Sequence, residues 1–264
     1  AITDLKEAQA RYDLANAQIE VANQQIDVAR ENLLAITARY YKSLKGAADN
    51  IPLLVPKPNN IEAWAKAAVA NSKQLEAAKY AVEVAQKRVD IEHAAKSPTV
   101  DLVAQQGTGS VFGEDTFDQD KIDASIGVQL SMPIYQGGNI SSRIREARHL
   151  LHQSQQQLEL QKRLATQQSR AAYLTIVSGL AQVKALKQAL DSTQTAASAT
   201  QAGFEAGTRT AIDVLLALQS TFAAKRDYTT ARYKFLFDTL QLKQAAGTLS
   251  EADLAGVSNL LKRK

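Results

Sequence analysis

The chain has 264 residues, a net charge of +4 and no cysteine, which excludes disulfides, thiol catalysis and cysteine-based metal sites. Although 45% of its residues are hydrophobic, no run of about 18 apolar residues exists, which excludes a transmembrane helix. The mild positive charge is spread along helical stretches, which favours solvated helix faces over nucleic-acid binding.

Residues 1–42 are predicted to form a long coiled-coil helix. Their apolar and small residues alternate in spacing between three and four: Leu5, Ala8, Tyr12, Ala15, Ile19, Ala22, Ile26, Ala29, Leu33 and Ile36. This average repeat of about 3.5 residues is typical of left-handed coiled-coil packing. A second apolar line runs along another face through Leu14, Val21, Val28 and Ala35. A helix with two apolar seams needs two neighbours, as in a bundle or a closed wall of helices.

Residues 43–60 are predicted to be a connector, because the stretch "SLKGAADNIPLLVPKPNN" contains three prolines that break a helix. A second helix is expected over 61–97. Its seam repeats every seven residues through Ile61, Ala68, Leu75, Val82 and Val89, and Asn71 is the one polar break in it.

Residues 98–135 are predicted to be a strand–loop–strand hairpin with its loop at 107–120. The second strand alternates strictly, with Ile122, Ala124, Ile126, Val128, Leu130, Met132 and Ile134 on one face. The first strand alternates more weakly, with Val100, Leu102 and Ala104 on one face. The second strand has about the 9–11 residues that a membrane-crossing strand needs.

The alternation of this hairpin alone favours a soluble hairpin packed on a sheet. The context favours a membrane instead, because no other strands exist here to build a sheet and two isolated strands are not stable. A closed barrel is the arrangement that leaves no strand edge exposed in lipid.

Residues 136–206 are predicted to form a third helix, roughly 65 residues or on the order of 100 Å long. Its predicted seam repeats every seven residues through Ile144, Leu151, Leu158, Ala165, Ala172, Gly179 and Leu186. Pro133, Gly137 and Gly138 lie where the alternating strand pattern changes into this helical one. After a turn at 207–210, a fourth helix is expected over 211–248. The tail, 249–264, has the pattern of a short amphipathic helix.

The fourth helix repeats the first at one constant offset. Val214, Ala217, Thr221 and Ala224 match Leu5, Ala8, Tyr12 and Ala15, the match continues to Ala245 and Ile36, and Asp213 matches Asp4. Such self-similarity indicates a duplicated unit. Because the fourth helix follows a long helix and a strand, we expect the corresponding elements of the first unit to lie upstream of Ala1, and the chain to be a mature or truncated piece.

Three stretches resemble the TolC-like family of outer-membrane efflux proteins. "LSMPIYQGGNISSRIREAR" resembles that family's strand-to-helix junction, "AGFEAGTRTAIDVLLA" its periplasmic tip, and "AAGTLSEADL" its end-of-coil segment. The resemblance implies a mainly α fold with a membrane β-hairpin. It implies long coiled-coil helices that form an α-barrel across the periplasm, and a homotrimer whose protomers each give four strands to a twelve-stranded outer-membrane β-barrel. This chain supplies two of the four.

The function that the resemblance implies is a passive exit duct in contact with outer-membrane lipid. It would dock with a periplasmic adaptor and an inner-membrane transporter. Its cargo would be drugs or, in type I secretion, proteins. It would open at its periplasmic tip by iris-like untwisting. No cofactor, no metal and no nucleic-acid partner are expected.

The tip turn also has a local pattern of its own. Gly207 suits a left-handed exit from the third helix, Thr208 continues the turn, and Thr210 with Asp213 three residues later predicts a capping box.

The resemblance adds functional roles to the residues of this tip. It implies that Asp213 lines a constriction ring, and that Arg209 and Phe204 tie the turn to a neighbouring helix through Thr3 and Asp4.

The sequence departs from the family's tip pattern at two positions. Where a family member has a tyrosine, this chain has Phe204, which cannot bond an aspartate. Where that member has a second constriction aspartate, one turn on, this chain has Leu216. We therefore expect a single layer of carboxylates, weaker cation binding and a looser closed state.

Other functional patterns are weak. His149 and His152 have a spacing that suits metal binding, but no third ligand is apparent and surface histidines are expected. No Ser-His-Asp set, P-loop or dinucleotide fingerprint appears, so no enzyme is predicted, even on a helical scaffold. A periplasmic adaptor or structural coiled-coil stalk stays open as an alternative, although no lipoyl-like domain is found and a stalk leaves the alternating strand unexplained.

Overall fold

The computed structural model describes residues 2–47, 53–110 and 120–260, with side chains over 5–47, 53–107 and 122–260. None of the described helices is long and apolar enough to cross a membrane. The chain divides into two compact units, one made of Ala1–Asn71 with Thr166–Lys264 and one of Ser72–Ala165. The elements in chain order are α1 (Ile2–Thr37), α2 (Ile61–Asn71), α3 (Lys73–Ala94), β1 (Thr99–Ser110), β2 (Asp120–Ser131), α4 (Asn139–Glu205), α5 (Ala211–Ala245) and α6 (Glu251–Asn259).

In the first unit, the core forms where α5 packs on the C-terminal part of α4. The most buried positions of this C-terminal part of α4 recur every seven residues, at Ser169, Ile176, Val183, Leu190 and Ala197. This seam lies three residues before the predicted line of Ala172, Gly179 and Leu186, which is half-buried beside it. The core cluster consists of Trp64, Ile176, Val183, Ala231, Phe235, Leu242 and Ala246.

Gly179 of α4 faces Phe235 and Asp238 of α5, and a Cβ there would make ordinary van der Waals contact with both. A Cβ at Gly179 would lie 3.7 Å from the Phe235 ring and 3.9 Å from the Asp238 carboxylate. Asp238 is 4% exposed, and Lys234 Nζ donates to both of its oxygens at 2.7 and 2.9 Å. The buried charge is therefore paired one turn away on its own helix.

The connector before α2 is fastened to the helices by three polar contacts. The Trp64 indole N–H donates to Pro58 O at 2.8 Å, and the Tyr173 hydroxyl donates to Asn59 Oδ1 at 2.6 Å. The backbone N–H of Ala47 donates to the Tyr233 hydroxyl at 2.9 Å. These bonds hold an irregular segment whose backbone groups are not paired by the regular hydrogen bonds of a helix.

The second predicted helix is interrupted, which corrects the expectation of one helix over 61–97. α2 ends at Asn71, and Ser72 caps α3 by accepting from the Leu75 N–H at 3.2 Å. The physical reason is local competition for the backbone by short polar side chains. Asn71 also packs against the end of α5, since a Cβ at Gly247 would lie 2.8 Å from the Asn71 carbonyl oxygen.

The short helix predicted in the tail is α6. It follows the left-handed Gly247 (φ 67°), and Lys243 near the end of α5 donates to Asp253 in its first turn. The Lys243 ammonium, followed by the backbone and hydroxyl of Ser250, lowers the pKa of Asp253 to about 2. The ion pair and the helix cap thus share one carboxylate.

In the second unit, α3 pairs with the N-terminal part of α4 around a buried carboxylate. Glu92 is 3% exposed, and it accepts from Arg88 at 2.9 Å and from Arg143 at 3.0 Å. Ile144 and Ala147 of α4 are buried, as are Leu75 and Val89 of α3.

β1 and β2 form an antiparallel pair in which the apolar faces coincide. Val100 lies opposite Leu130, and Leu102 lies opposite Val128. All four side chains are at least 68% exposed. The loop is shorter than the predicted 107–120, because residues 107–110 belong to β1 and Asp120 begins β2. The rest of it lies outside the described residues.

The two halves of the internal repeat differ in burial. Phe235 of α5 is 3% exposed, whereas the matching Ile26 of α1 is 49% exposed. Other members of the predicted α1 seam are also uncovered by the described chain: Leu5, Tyr12, Ile19 and Ile36. A side-chain hydrogen bond joins α1 to α5, in which Arg11 donates to Gln219 Oε1 at 3.4 Å.

Candidate functional site

The turn between α4 and α5 is closed by backbone bonds around a left-handed glycine. Gly207 has a φ of 76°, as its place in the sequence predicts, and its N–H donates to Phe204 O at 2.9 Å. The Thr208 N–H donates to Gly203 O at 2.8 Å, and its hydroxyl donates to the same oxygen at 2.9 Å. These bonds satisfy carbonyls that the last turn of a helix otherwise leaves unpaired.

Gly203 contributes to this turn and was missed by the sequence reasoning. A Cβ at Gly203 would lie 2.9 Å from Arg209 Cγ and 3.2 Å from the Thr208 hydroxyl. Because Gly203 has no Cβ, the Arg209 side chain can fold back over the last turn of α4. The only signal in the sequence is the spacing of the glycines in "AGFEAG", which does not by itself reveal the close approach.

The predicted capping box at the start of α5 is present. The Asp213 N–H donates to the Thr210 hydroxyl at 3.2 Å, and the Thr210 N–H donates to Asp213 Oδ2 at 2.9 Å. The backbone and then the hydroxyl of Thr210, with a smaller contribution from the Arg209 charge, lower the pKa of Asp213. The carboxylate is therefore a fixed negative charge at neutral pH, held at the beginning of a helix.

Of the remaining predicted tip residues, the side chains of Phe204 and Arg209 are described and those of Thr3 and Asp4 are not. Phe204 is 43% exposed, and Arg209 is exposed with its backbone N–H on Gly203 O at 3.2 Å. Thr3 and Asp4 belong to α1, and their side chains lie outside the described residues. The ties that the resemblance implies between these four residues stay predictions.

The strand-to-helix junction contains two consecutive left-handed residues. Gly137 and Gly138 have φ of 60° and 82°, and a Cβ at either would meet nothing within 4 Å. They are glycines because of their backbone conformation and not because of crowding. With Pro133 before them, they separate the end of β2 from α4.

A groove lies beside this junction. Its volume is about 380 Å³, and Lys96, Met132, Pro133, Ile134 and Tyr135 line it together with the first residues of α4. The Ile134 and Tyr135 side chains are 95% and 86% exposed. Lys96 lies between α3 and β1 and is exposed.

Metal-binding residues are not clustered in the described part of the chain. Among those residues, no group of three His, Asp or Glu side chains lies close enough to hold an ion. The two histidines singled out in the sequence, His149 and His152, are both exposed on α4.

Residues 64–248 match the family model described as outer membrane efflux protein. The chain is 33% identical over 274 residues to the outer membrane protein TolC of Escherichia coli K12, covering 100% of this chain and 55% of that protein. It is 32% identical over 262 residues to the alkaline protease secretion protein AprF of Pseudomonas aeruginosa, covering 96% and 53%. The chain thus spans about half the length of the curated relatives it matches.

Two solved structures share the fold. The outer membrane protein VceC of Vibrio cholerae superposes with a TM-score of 0.75 at 19% identity, over 94% of this chain and 58% of that one. The open state of the MtrE outer membrane channel of Neisseria gonorrhoeae superposes with a TM-score of 0.73 at 20% identity, over 90% and 54%. At these identities the structures establish the fold alone.

Proposed function

Because the chain belongs to the outer membrane efflux protein family, we propose that it forms part of a protomer of a trimeric channel in the bacterial outer membrane. The family consists of transport proteins and not of enzymes, and its members are outer membrane proteins. The channel is a passive duct through which cargo leaves the periplasm. The adaptor and stalk alternatives are set aside by the family match.

The observation that carries this proposal is the exposed apolar face of the hairpin. Leu102, Val128 and Leu130 lie together on one face, each at least 69% exposed. A contiguous apolar face of this kind is costly in water and favourable in lipid. A two-stranded piece still has unpaired edges, so we propose that strands from other segments and other copies complete a twelve-stranded barrel.

The uncovered seam of α1 supports the same assembly. Its heptad pattern equals that of α5, whose seam is buried against α4, yet Ile26 and its neighbours on α1 remain exposed. We propose that a helix of the first repeat packs on α1 as α4 packs on α5. The coiled coils then form the wall of the periplasmic α-barrel.

The periplasmic tip is the proposed gate. Threefold symmetry would place three copies of Asp213 around one constriction, with Phe204 and Arg209 of each turn contacting Thr3 and Asp4 of α1. Leu216, one turn further along α5, is 42% exposed and brings no second carboxylate. The ring is therefore a single layer, and cations bind it more weakly than they would bind two layers. Opening follows iris-like untwisting of the coils.

The partners proposed are a periplasmic adaptor and an inner-membrane transporter. The relatives include proteins named for protease secretion and one named for efflux, BepC of Brucella suis. Both cargo classes, proteins and drugs, therefore remain open for this channel.

Replacing Asp213 with Asn tests the proposed gate, because Asn keeps the shape and an acceptor oxygen but removes the charge. We expect the full-length protein in planar bilayers to lose most of its block by divalent cations in the variant. Asp227→Asn is the matched control, since Asp227 is also on α5 but pairs with its neighbour Arg226.

The pH dependence of the same block follows from the lowered pKa of Asp213. A depressed pKa keeps the carboxylate charged below the usual range for aspartate, near 3.9. Block should weaken as pH falls, because protonation removes the carboxylate charge; the Thr210 contacts lower the midpoint, and repulsion between the three carboxylates of the proposed ring raises it. Unchanged block in the Asp213→Asn variant would remove Asp213 from the gate.

A further inference from the structure

The groove at the strand-to-helix junction continues the apolar face of the hairpin. Leu130, Met132 and Ile134 follow the same two-residue period, and the last two line the groove. They are 69%, 58% and 95% exposed. β2 ends at Ser131, so the apolar strand face that the proposed function places against lipid ends at Leu130, and Met132 and Ile134 extend its sequence pattern into the groove.

A lysine side chain lines the same groove as Met132 and Ile134. Lys96 lines the groove, and no carboxylate of the described chain forms an ion pair with its ammonium. The acidic residue nearest to it in sequence, Glu92, is 3% exposed and already bound by Arg88 and Arg143. Lys96 is therefore a cation available to an external anion.

The helix whose first residues line the groove carries an excess of positive charge. In the first turns of α4, Arg143, Arg145 and Arg148 are exposed, against the single exposed acid Glu146. Arg148 donates towards His93 and not to a carboxylate. Tyr135, which is 86% exposed, supplies an amphipathic ring of the kind found at membrane–water boundaries.

We propose that this groove docks an anionic phospholipid of the periplasmic leaflet. The acyl chain lies along Leu130, Met132 and Ile134, the phosphate pairs with Lys96, and Tyr135 lies at the headgroup level. The inference rests on the proposed function, because it needs the hairpin to cross the membrane. It adds the lipid class, since an apolar path ending in a lysine fits an acyl chain that ends in a negatively charged headgroup.

The test uses the full-length protein with Tyr135→Trp as a fluorescent reporter in the groove. It is reconstituted in phosphatidylcholine vesicles, and quenching by brominated phosphatidylglycerol is compared with quenching by brominated phosphatidylcholine. The protein without the reporter gives the background from Trp64 and from any tryptophan outside this chain. One lysine near an anionic headgroup predicts an affinity ratio of about fivefold in favour of phosphatidylglycerol.

Three lysine variants in this reporter background decide the role of Lys96. Lys96→Gln should bring the ratio close to one, and Lys96→Arg should keep it. Lys87→Gln is the matched control, because Lys87 is an exposed lysine of α3 that pairs with Asp90, and it should leave the ratio unchanged.

Two failures are distinguishable. Equal quenching by the two lipids, or a ratio that Lys96→Gln leaves intact, overturns the lipid inference but not the channel. If neither lipid quenches the reporter in well-folded, reconstituted protein, the lipid inference and the proposed channel are both overturned, because the junction would then not lie at the membrane.

Discussion

At the scale of single residues, two glycines share a backbone conformation but not a surrounding. Gly207 and Gly247 have φ of 76° and 67°, values that a residue with a Cβ rarely adopts. A Cβ at Gly207 would meet nothing within 4 Å, whereas one at Gly247 would lie 2.8 Å from both the Cβ and the carbonyl oxygen of Asn71. The tip turn is thus open, and the end of α5 is packed.

These two glycines give a matched pair of alanine substitutions. Gly207→Ala should cost only the left-handed backbone strain, about 1–2 kcal/mol. Gly247→Ala should cost more, because the overlap with Asn71 adds roughly 1–3 kcal/mol. Thermal unfolding of the full-length protein checks this by comparing the two decreases in Tm. Equal decreases would mean that the contact between Asn71 and Gly247 contributes nothing to stability.

At the scale of the elements, the pairing of α4 with α5 depends on a few large side chains in a heptad seam. Phe235 is 3% exposed and contacts the turn around Gly179, whereas Phe237, two residues away, is 66% exposed. The same residue type therefore stands on both faces of one helix.

Truncating each phenylalanine separates core packing from general helix effects. Phe235→Ala should destabilise the protein by about 3–5 kcal/mol through lost burial and a cavity. Phe237→Ala is the control, and should have a much smaller effect unless another copy or segment covers that face. Chemical denaturation followed by circular dichroism gives both values. A loss at Phe235 no larger than about 1 kcal/mol would contradict the seam.

The contact between α1 and α5 is a separate element-scale feature. Arg11 is oriented by Glu7 on its own helix at 2.7 Å and donates to Gln219 of α5 at 3.4 Å. Its Nε is buried, and the described chain offers it no hydrogen-bond partner. The Arg11 side chain therefore leaves one buried N–H unpaired within the described chain while it makes a hydrogen bond to α5.

Removing this tie should favour the open state of the proposed gate. A hydrogen bond worth on the order of 1 kcal/mol shifts a closed–open equilibrium about fivefold, so Arg11→Ala should raise resting conductance. Arg30→Ala is the control, because Arg30 pairs with Asp27 within α1. Single-channel recording measures both. A resting conductance in Arg11→Ala equal to that of Arg30→Ala would show that the tie does not restrain opening.

Heptad patterns made the long helices predictable, and a strict alternation did the same for β2. The break at Ser72 was not predictable, because one polar residue in a seam is compatible with a continuous helix. Ser72 caps α3 there, and Asn71 packs beside Gly247, a contact far along the chain that the sequence pattern does not reveal. The role of Gly203 was also not predictable, because the crowding there depends on how the Arg209 side chain folds back over α4.

The capping box at Thr210 could be read from the sequence because it is a local motif whose partners are three residues apart. The predicted line of α4 is buried at Ile144 and packs against the core at Ala172 and Leu186, but the most buried line of the C-terminal part lies three residues before it. Both lines repeat every seven residues, and only packing against α5 selects between them.

At the scale of the whole molecule, the described chain leaves two kinds of apolar surface uncovered. One is the hairpin face around Leu102 and Val128, and the other is the α1 seam around Ile19 and Ile26. Neither is stable in water alone, because contiguous exposed apolar surface of this extent marks a membrane or an assembly interface. The hairpin face fits lipid and the seam fits a coiled-coil partner, and both support the proposed membrane-embedded oligomer.

The central claim is that the full-length protein is a trimeric outer-membrane channel. Conductance of the purified protein added to a planar lipid bilayer tests it most directly, with its mass in detergent measured on the same sample. The account predicts a trimer that needs detergent to stay in solution and stepwise increases in current as single trimers insert. A soluble monomer that needs no detergent and produces no current would contradict it.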